Sequence, residues 1–194
     1  MSNKTMIYLL IFVVVVFLVI DMVTLMMNRS NFTVQYYDTD IYTDYSEAAT
    51  ITTVSGLVFK NEKKETDYLN AYEETSVQTF EKYFSGISKE IGKDISVVNI
   101  DMKTNKRDNV LEITETVTLN GLVTKNDDEV FNLSMGKIQL NSIAQSNIRV
   151  HLPVDADIES IEPTPTKITS NMITWSGKDI ANFPNINFKR GEQQ

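Results

Sequence analysis

The side chains able to do chemistry in this sequence are few and scattered. Asp38, Asp40 and Asp44 fall in the run FTVQYYDTDIYTDY, a density of carboxylates suited to a hard cation such as calcium. The run lacks the glycine and the closing glutamate of an EF-hand loop, so a solvated acidic turn is the preferred explanation and calcium the weaker one. Asn126-Asp127-Asp128-Glu129 is a second acidic knot and reads as a hairpin turn. His151 is the single histidine. Zinc draws three or four ligands from His, Cys and carboxylates, and a lone histidine in a cysteine-free chain makes a poor site. His151 reads as an ordinary strand residue, with a Ser-His-Asp arrangement left open by the many serines and acids. No G-x-S-x-G elbow, Walker sequence or dinucleotide fingerprint occurs. No catalytic residue, cofactor or metal is expected, with Asp38, Asp40 and Asp44 as the candidate exception.

Four further residues have chemical potential of other kinds. Asn132-Leu133-Ser134 is an N-glycosylation sequon, and Asn31-Phe32-Thr33 is another, almost on the membrane. Trp175, followed by Ser-Gly, suits a core or sheet-corner position better than a ligand platform. Asp21 interrupts the apolar N-terminal stretch. An ionisable group inside a membrane span is a functional candidate by default. The surrounding apolar residues offset its insertion cost, so it serves either a plain anchor or a contact to a partner helix. The span has no Gly, Ala or Ser for close helix approach, which favours the plain anchor.

That stretch organises the chain. Met6 to Ile20 is unbroken apolar sequence, and Met22 to Met27 adds MVTLMM after Asp21. At a rise of about 1.5 Å per residue, residues 6–27 span roughly 33 Å, close to the hydrocarbon core of a bilayer. No A-x-A-like cleavage triplet precedes Asn28, which favours an uncleaved anchor over a signal peptide. Lys4 and the α-amine stand against Arg29 alone, so the positive-inside rule places the N-terminus in the cytoplasm and the rest outside. The expected organisation is a tail at 1–5, a transmembrane helix at 6–27, a linker at 28–31, an extracytoplasmic domain at 32–190 and a flexible tail at 191–194. The net charge of −8 argues against nucleic acid and against an anionic lipid surface, because both need clustered Lys and Arg. The lack of cysteine removes disulfides and thiolate chemistry.

Beyond the linker the sequence predicts an α+β domain: a mainly antiparallel sheet, or two packed sheets, with one amphipathic helix on an apolar face. Strands are expected at Phe32–Tyr37 and Ala48–Lys60, with Gly56 marking a bulge or bend. The helix runs Asp67–Ile91, with Leu69, Tyr72, Val77, Phe80, Phe84, Ile87 and Ile91 on one face, Asp67 as N-cap and Gly92 beyond the C-terminus. Glu73 and Ser76 interrupt its stripe and allow a break there. Val98, Ile100 and Met102 then alternate, and Leu111, Ile113, Val117 and Leu119 share one face of Asn109–Leu119. Asn120-Gly121 signals a hairpin, or a bulge if the strand continues. Further β segments are Val130–Leu140, Asn147–Leu152, Asp157–Ile161, Met172–Trp175 and Asn185–Lys189.

The run HLPVDADIESIEPTP…NMITWSGKDIANFPNINF resembles the C-terminal part of small membrane-anchored proteins, mostly archaeal, filed as domains of unknown function. The resemblance implies an architecture and no chemistry. The functional expectation is a single-pass protein whose external domain is a binding module or accessory subunit, with another membrane or surface protein or a second copy as partner. The alternative is a membrane-tethered hydrolase with an unrecognised site.

Overall fold

Alternation of apolar and polar residues along β-branched segments sets one face of each strand in the core and leaves the other in water. The computed structural model describes residues 32–73, 77–136, 145–177, 180 and 182–191. The apolar stretch 6–27, Asp21 and Asn31 lie outside these residues. No helix among the described residues is long and apolar enough to cross a membrane.

The elements run β1 (Phe32–Thr43), β2 (Ala48–Phe59), α1 (Glu62–Glu73), α2 (Val77–Ile91), β3 (Ser96–Arg107), β4 (Val110–Asn120), β5 (Val123–Lys125), β6 (Phe131–Leu133), β7 (Ser146–His151), β8 (Ala156–Glu162), β9 (Lys167–Thr169), β10 (Met172–Ser176) and β11 (Asn185–Arg190). A seven-stranded sheet has the order β3-β4-β2-β1-β7-β10-β9, and a four-stranded sheet the order β5-β6-β11-β8. All pairs are antiparallel except β1 with β7. One core joins the two sheets and the helices. It holds Ile51, Leu57, Ile113 and Val117 from the large sheet, Leu133, Ile186 and Phe188 from the small one, and Tyr68, Phe80 and Phe84 from the helices. Trp175 is buried in it, its Nε1 donating to the Pro163 carbonyl at 2.9 Å.

Several expectations need correction. The single helix is two. The first starts at Glu62 and not at Asp67, because Asn61 Oδ1 accepts the Lys64 amide at 3.0 Å and so caps it. The first strand runs six residues beyond Tyr37, since Tyr42↔Thr50 and Thr43↔Ala49 continue its pairing with β2. Its bulge lies at Gln35, between Val34 and Tyr36, and not at Gly56. Gly56 instead gives room to the Tyr36 ring, which would collide with any Cβ placed there. Val98 is exposed because a second bulge between Val97 and Asn99 breaks the alternation. Asn120-Gly121 makes no hairpin. Gly121, at φ +81°, passes so close to the Asp94 carbonyl that a side chain would collide with it, and the chain crosses here to the small sheet. Of the segment Val130–Leu140 only Phe131–Leu133 is strand among the described residues, with Gly136 beyond it at positive φ. Strand β9 was not expected.

The inner face of β4 carries one acid among its apolar residues. Glu115 lies between Ile113 and Val117 in the alternation, is 3% exposed, and accepts the Tyr72 hydroxyl at 3.2 Å. Burial raises its pKa to about 8, against a smaller lowering by the Tyr72 bond. A carboxyl with a raised folded pKa binds its proton more tightly than the unfolded chain does. Its burden on stability is therefore absent below about pH 4.5 and grows until about pH 8. Glu115→Gln is expected to match wild type near pH 4.5 and to exceed it by a few kcal/mol at pH 8, on the order set by linkage, in urea titrations at the two values. Residues 32–191, expressed without the preceding segment, are expected to unfold in one cooperative thermal transition, because one core serves every element. A soluble chain with no such transition would refute this.

Candidate functional site

The outer face of the large sheet is polar, and its charge is concentrated where β1 meets β7. In a strand, alternate residues share a face, so Tyr36, Asp38, Asp40 and Tyr42 project outward together. The parallel register sets Asp38 opposite Asn147, Asp40 opposite Arg149, and Tyr42 opposite His151. Each outward pair is in contact. Asn147 Nδ2 donates to Asp38 Oδ1 at 2.8 Å. Arg149 donates from Nε and Nη2 to the two oxygens of Asp40, both at 2.7 Å, the bidentate geometry that suits guanidinium and carboxylate. The same guanidinium reaches Asp38 Oδ2 at 3.3 Å. His151 Nε2 lies 2.7 Å from Asp40 Oδ1, and its ring stacks on Tyr42 at 4.4 Å and 11°. On the far side Ser176 Oγ donates to Asn147 Oδ1 at 2.7 Å.

The four ionisable side chains are 20–33% exposed, neither core nor free surface. Burial pushes the Asp40 pKa up, but the hydrogen bonds and charges of Arg149 and His151 outweigh it and hold the carboxyl below its usual value. Arg149 is held in its charged form, first by its bonds to Asp40. Flanking strands extend the polar face with hydroxyl pairs at 3.2 Å, Thr50 with Thr118 and Thr52 with Thr116. Tyr36 donates to Glu112 at 2.9 Å.

The aspartate candidates are thus divided. Asp38 and Asp40 come together, but around a guanidinium. Asp44 lies in the turn after β1, where its Oδ1 accepts the Ser46 amide at 2.7 Å. Among the described residues no group of three or more His, Cys, Asp and Glu side chains is placed to hold a metal. The second acidic knot is a turn. Asn126 Oδ1 accepts the amides of Asp128 and Val130, and Lys125 pairs with Glu129 at 2.6 Å. Asn132 lies on the small sheet, its Nδ2 donating to Asn185 and Asn187 at 2.7 and 2.8 Å. Those bonds use both amide hydrogens, one of which a glycan would replace. An open cleft of about 240 Å³ lies elsewhere, lined by Tyr45, Lys125, Glu129, Phe131 and Arg190. Arg149 and Asn147 escaped sequence reasoning, as did the placement of His151 beside Asp40. Their only signal is the alternation Asn147-x-Arg149-x-His151.

The network makes a prediction about acid. Asp40, with a lowered pKa, contributes stability above the usual carboxylate range and loses it as pH falls through that range. Arg149→Met is expected to cost about 1–2 kcal/mol at pH 7, as for a partly exposed network of ion pairs. The cost should shrink towards zero near pH 2.5, as read from denaturation midpoints at both pH values. An equal cost at both would mean that Arg149 contributes by packing alone.

No curated protein matches the chain. The folded domain of the Mycobacterium tuberculosis LppM protein is similar over 81% of this chain and 90% of its own, at 9% identity and a TM-score of 0.42. An M1 zinc metallopeptidase from Deinococcus radiodurans is similar over 82% of this chain at 8% identity and a TM-score of 0.30, and this chain spans 42% of it. Over residues 32–189, the stretch that forms both sheets and both helices, the sequence matches a family model, and the chain belongs to the family described as Domain of unknown function (DUF4897).

Proposed function

We propose that this protein is a single-pass, membrane-anchored binding module, held by residues 6–27, whose extracytoplasmic domain offers the outer face of the seven-stranded sheet to a partner. The partner is another membrane or surface protein or a second copy of the chain. The observation that carries the reading is the outward network of Asp38, Asp40, Asn147, Arg149 and His151. It holds two acids, a base and an imidazole in fixed geometry on a half-exposed face. Such a surface meets a partner with ordered donors and acceptors, which gives specificity and steering. The anchor is supported by the unbroken apolar run Met6 to Ile20, extended past Asp21 to Met27, and by the resemblance to membrane-anchored, mostly archaeal proteins.

The runner-up, a tethered hydrolase, draws on the 2.7 Å contact of His151 with Asp40, which orients an imidazole as a general base requires. Against it, no hydroxyl among the described residues is bonded to the His151 ring, and the described cleft lies at Tyr45 and Arg190. Cross-linking in native membranes separates the readings. Wild type is expected to yield a discrete cross-linked species, and Asp38→Lys to lose it while keeping its circular dichroism. Asp21→Leu is expected to keep both insertion and the species; its loss would make the helix the docking element. A chain that stays monomeric and hydrolyses esters in a His151-dependent way would overturn the proposal.

A further inference from the structure

One end of the large sheet collects cations that are dispersed in the sequence. Thr33, Val58, Val110 and Arg107 lie on one row across β1, β2, β4 and β3. Just past that row Phe32 faces Phe59, with ring centroids 5.4 Å apart, and both rings meet Tyr68 of α1. Lys60 and Asn61 lead from β2 into α1, and Asp108 and Asn109 turn β3 into β4. Lys106 reaches Glu65 at 2.7 Å and ties the β3–β4 turn to the helix. Lys60, Lys63, Lys64, Lys106 and Arg107 therefore share one rim with Glu62, Glu65 and Asp108. Glu112, bonded to the Tyr36 hydroxyl within the field of Arg107, stands beside them, so five bases meet four acids and the rim is slightly positive in a chain of net charge −8. Lys60, Lys63 and Arg107 are exposed, and no ion pair among the described residues engages them. The opposite end of the same strands carries Asp44, Glu47 and Asp94, with Lys93 as its one base among the described residues and bonded to the Ser134 carbonyl.

We propose that this rim rests on the anionic headgroups of the bilayer, so that the domain stands with its strands along the membrane normal. The proposal rests on the anchor reading. Residues 28–31 are all that separate the apolar run from Phe32, and four residues reach at most about 14 Å. The β1 end that bears Phe32 is therefore held within about two screening lengths of the end of the apolar run, at about 8 Å each, so it can settle on the headgroups. So short a tether also makes contact effectively intramolecular, which lets a modest charge act. Half-buried Phe32 and Phe59 sit where aromatic rings favour the interface. Repulsion of the acidic opposite end adds to the orientation. The low overall charge spoke against an anionic surface; the fold sorts that charge by end.

The cysteine-free chain permits single-cysteine reporters. Asn109→Cys at the rim and Val154→Cys, 92% exposed beyond β7, would each carry a fluorophore on the full chain. The chains are reconstituted in vesicles with a nitroxide headgroup quencher, of phosphatidylcholine alone or with phosphatidylglycerol. The rim label is expected to be quenched several-fold more in anionic vesicles. About 1 M salt, which shortens screening to about 3 Å, should reverse this. The combined variant Lys60→Glu, Lys63→Glu, Arg107→Glu should abolish the difference, and the Val154 label should respond to none of these. Rim quenching that ignores lipid charge in a chain that floats with vesicles would overturn the headgroup contact and leave the anchor standing. A chain that does not float would overturn the anchor and this inference with it.

Discussion

The parallel register of β1 and β7 is the constraint on which the rest of the structure depends. The pair joins the antiparallel block β3-β4-β2-β1 to the block β7-β10-β9; without it the large sheet would be two sheets. Parallel strands need a long crossover, and here all of β2 through β6 intervenes, so closing the pair carries a large entropic cost. The outward contacts oppose that cost at each step of the ladder, Asp38 with Asn147, Asp40 with Arg149, Tyr42 with His151. A slip of β7 by one residue would turn Ile148 and Val150 out of the core and Asn147, Arg149 and His151 into it, where a buried unpaired guanidinium is prohibitively costly. The network thus selects one register, and in doing so fixes its own geometry.

The inner face obeys a related rule with a different outcome. Its rows are mostly apolar, with buried Ser55 and Ser146 on either side of Tyr37 and, one row on, a polar band in which Glu115 pairs with Thr53 and Thr53 with Thr39. Thr39 and Thr53 satisfy each other at 3.3 Å, and Glu115 takes the Tyr72 hydroxyl. On the outside, acids stay ionised because Arg149 is beside them. On the inside, no cation among the described residues is paired with Glu115, and burial favours its neutral form. The Tyr72 bond also ties α1 to β4 across the core.

Local periodicity made much of this legible in the sequence. Leu111, Ile113, Val117 and Leu119 declared the buried face of β4, and Phe80, Phe84 and Ile87 the buried stripe of α2, because burial repeats with the geometry of each element. The same reading stopped at Glu115, whose position in the alternation is inward but whose charge suggested otherwise. It misjudged Val98 because a bulge shifts the phase without any signal in residue type. The candidate site was legible in halves. Asp38 and Asp40 stood out as a carboxylate pair and His151 as a lone imidazole, but their partnership spans 111 residues and depends on strand order, which no local pattern encodes. A carboxylate pair with no visible counter-charge resembles a cation site. Once Arg149 is placed against it, it is an ion-pair network.

An extended strand converts position in the chain into height, and β1 does so over 12 residues. At about 3.4 Å per residue, Asp40 stands roughly 27 Å from Phe32 along the strand. On the proposed anchor this separates two tasks along one element. At its start Phe32 and Val34 are apolar, and Phe32 meets Phe59 and Tyr68 near the membrane end. The later ones, Asp38 to Tyr42, hold the polar network beyond the reach of the headgroup potential, which decays within about 10 Å. A partner would then meet Asp38, Asp40 and Arg149 without competition from lipid charge. The β1–β7 ladder holds the network rigid at that height, since every outward residue in it is pinned by the strand beside it. A binding surface on a short tether gains from such rigidity, because the order a partner would otherwise have to impose is already present in the fold.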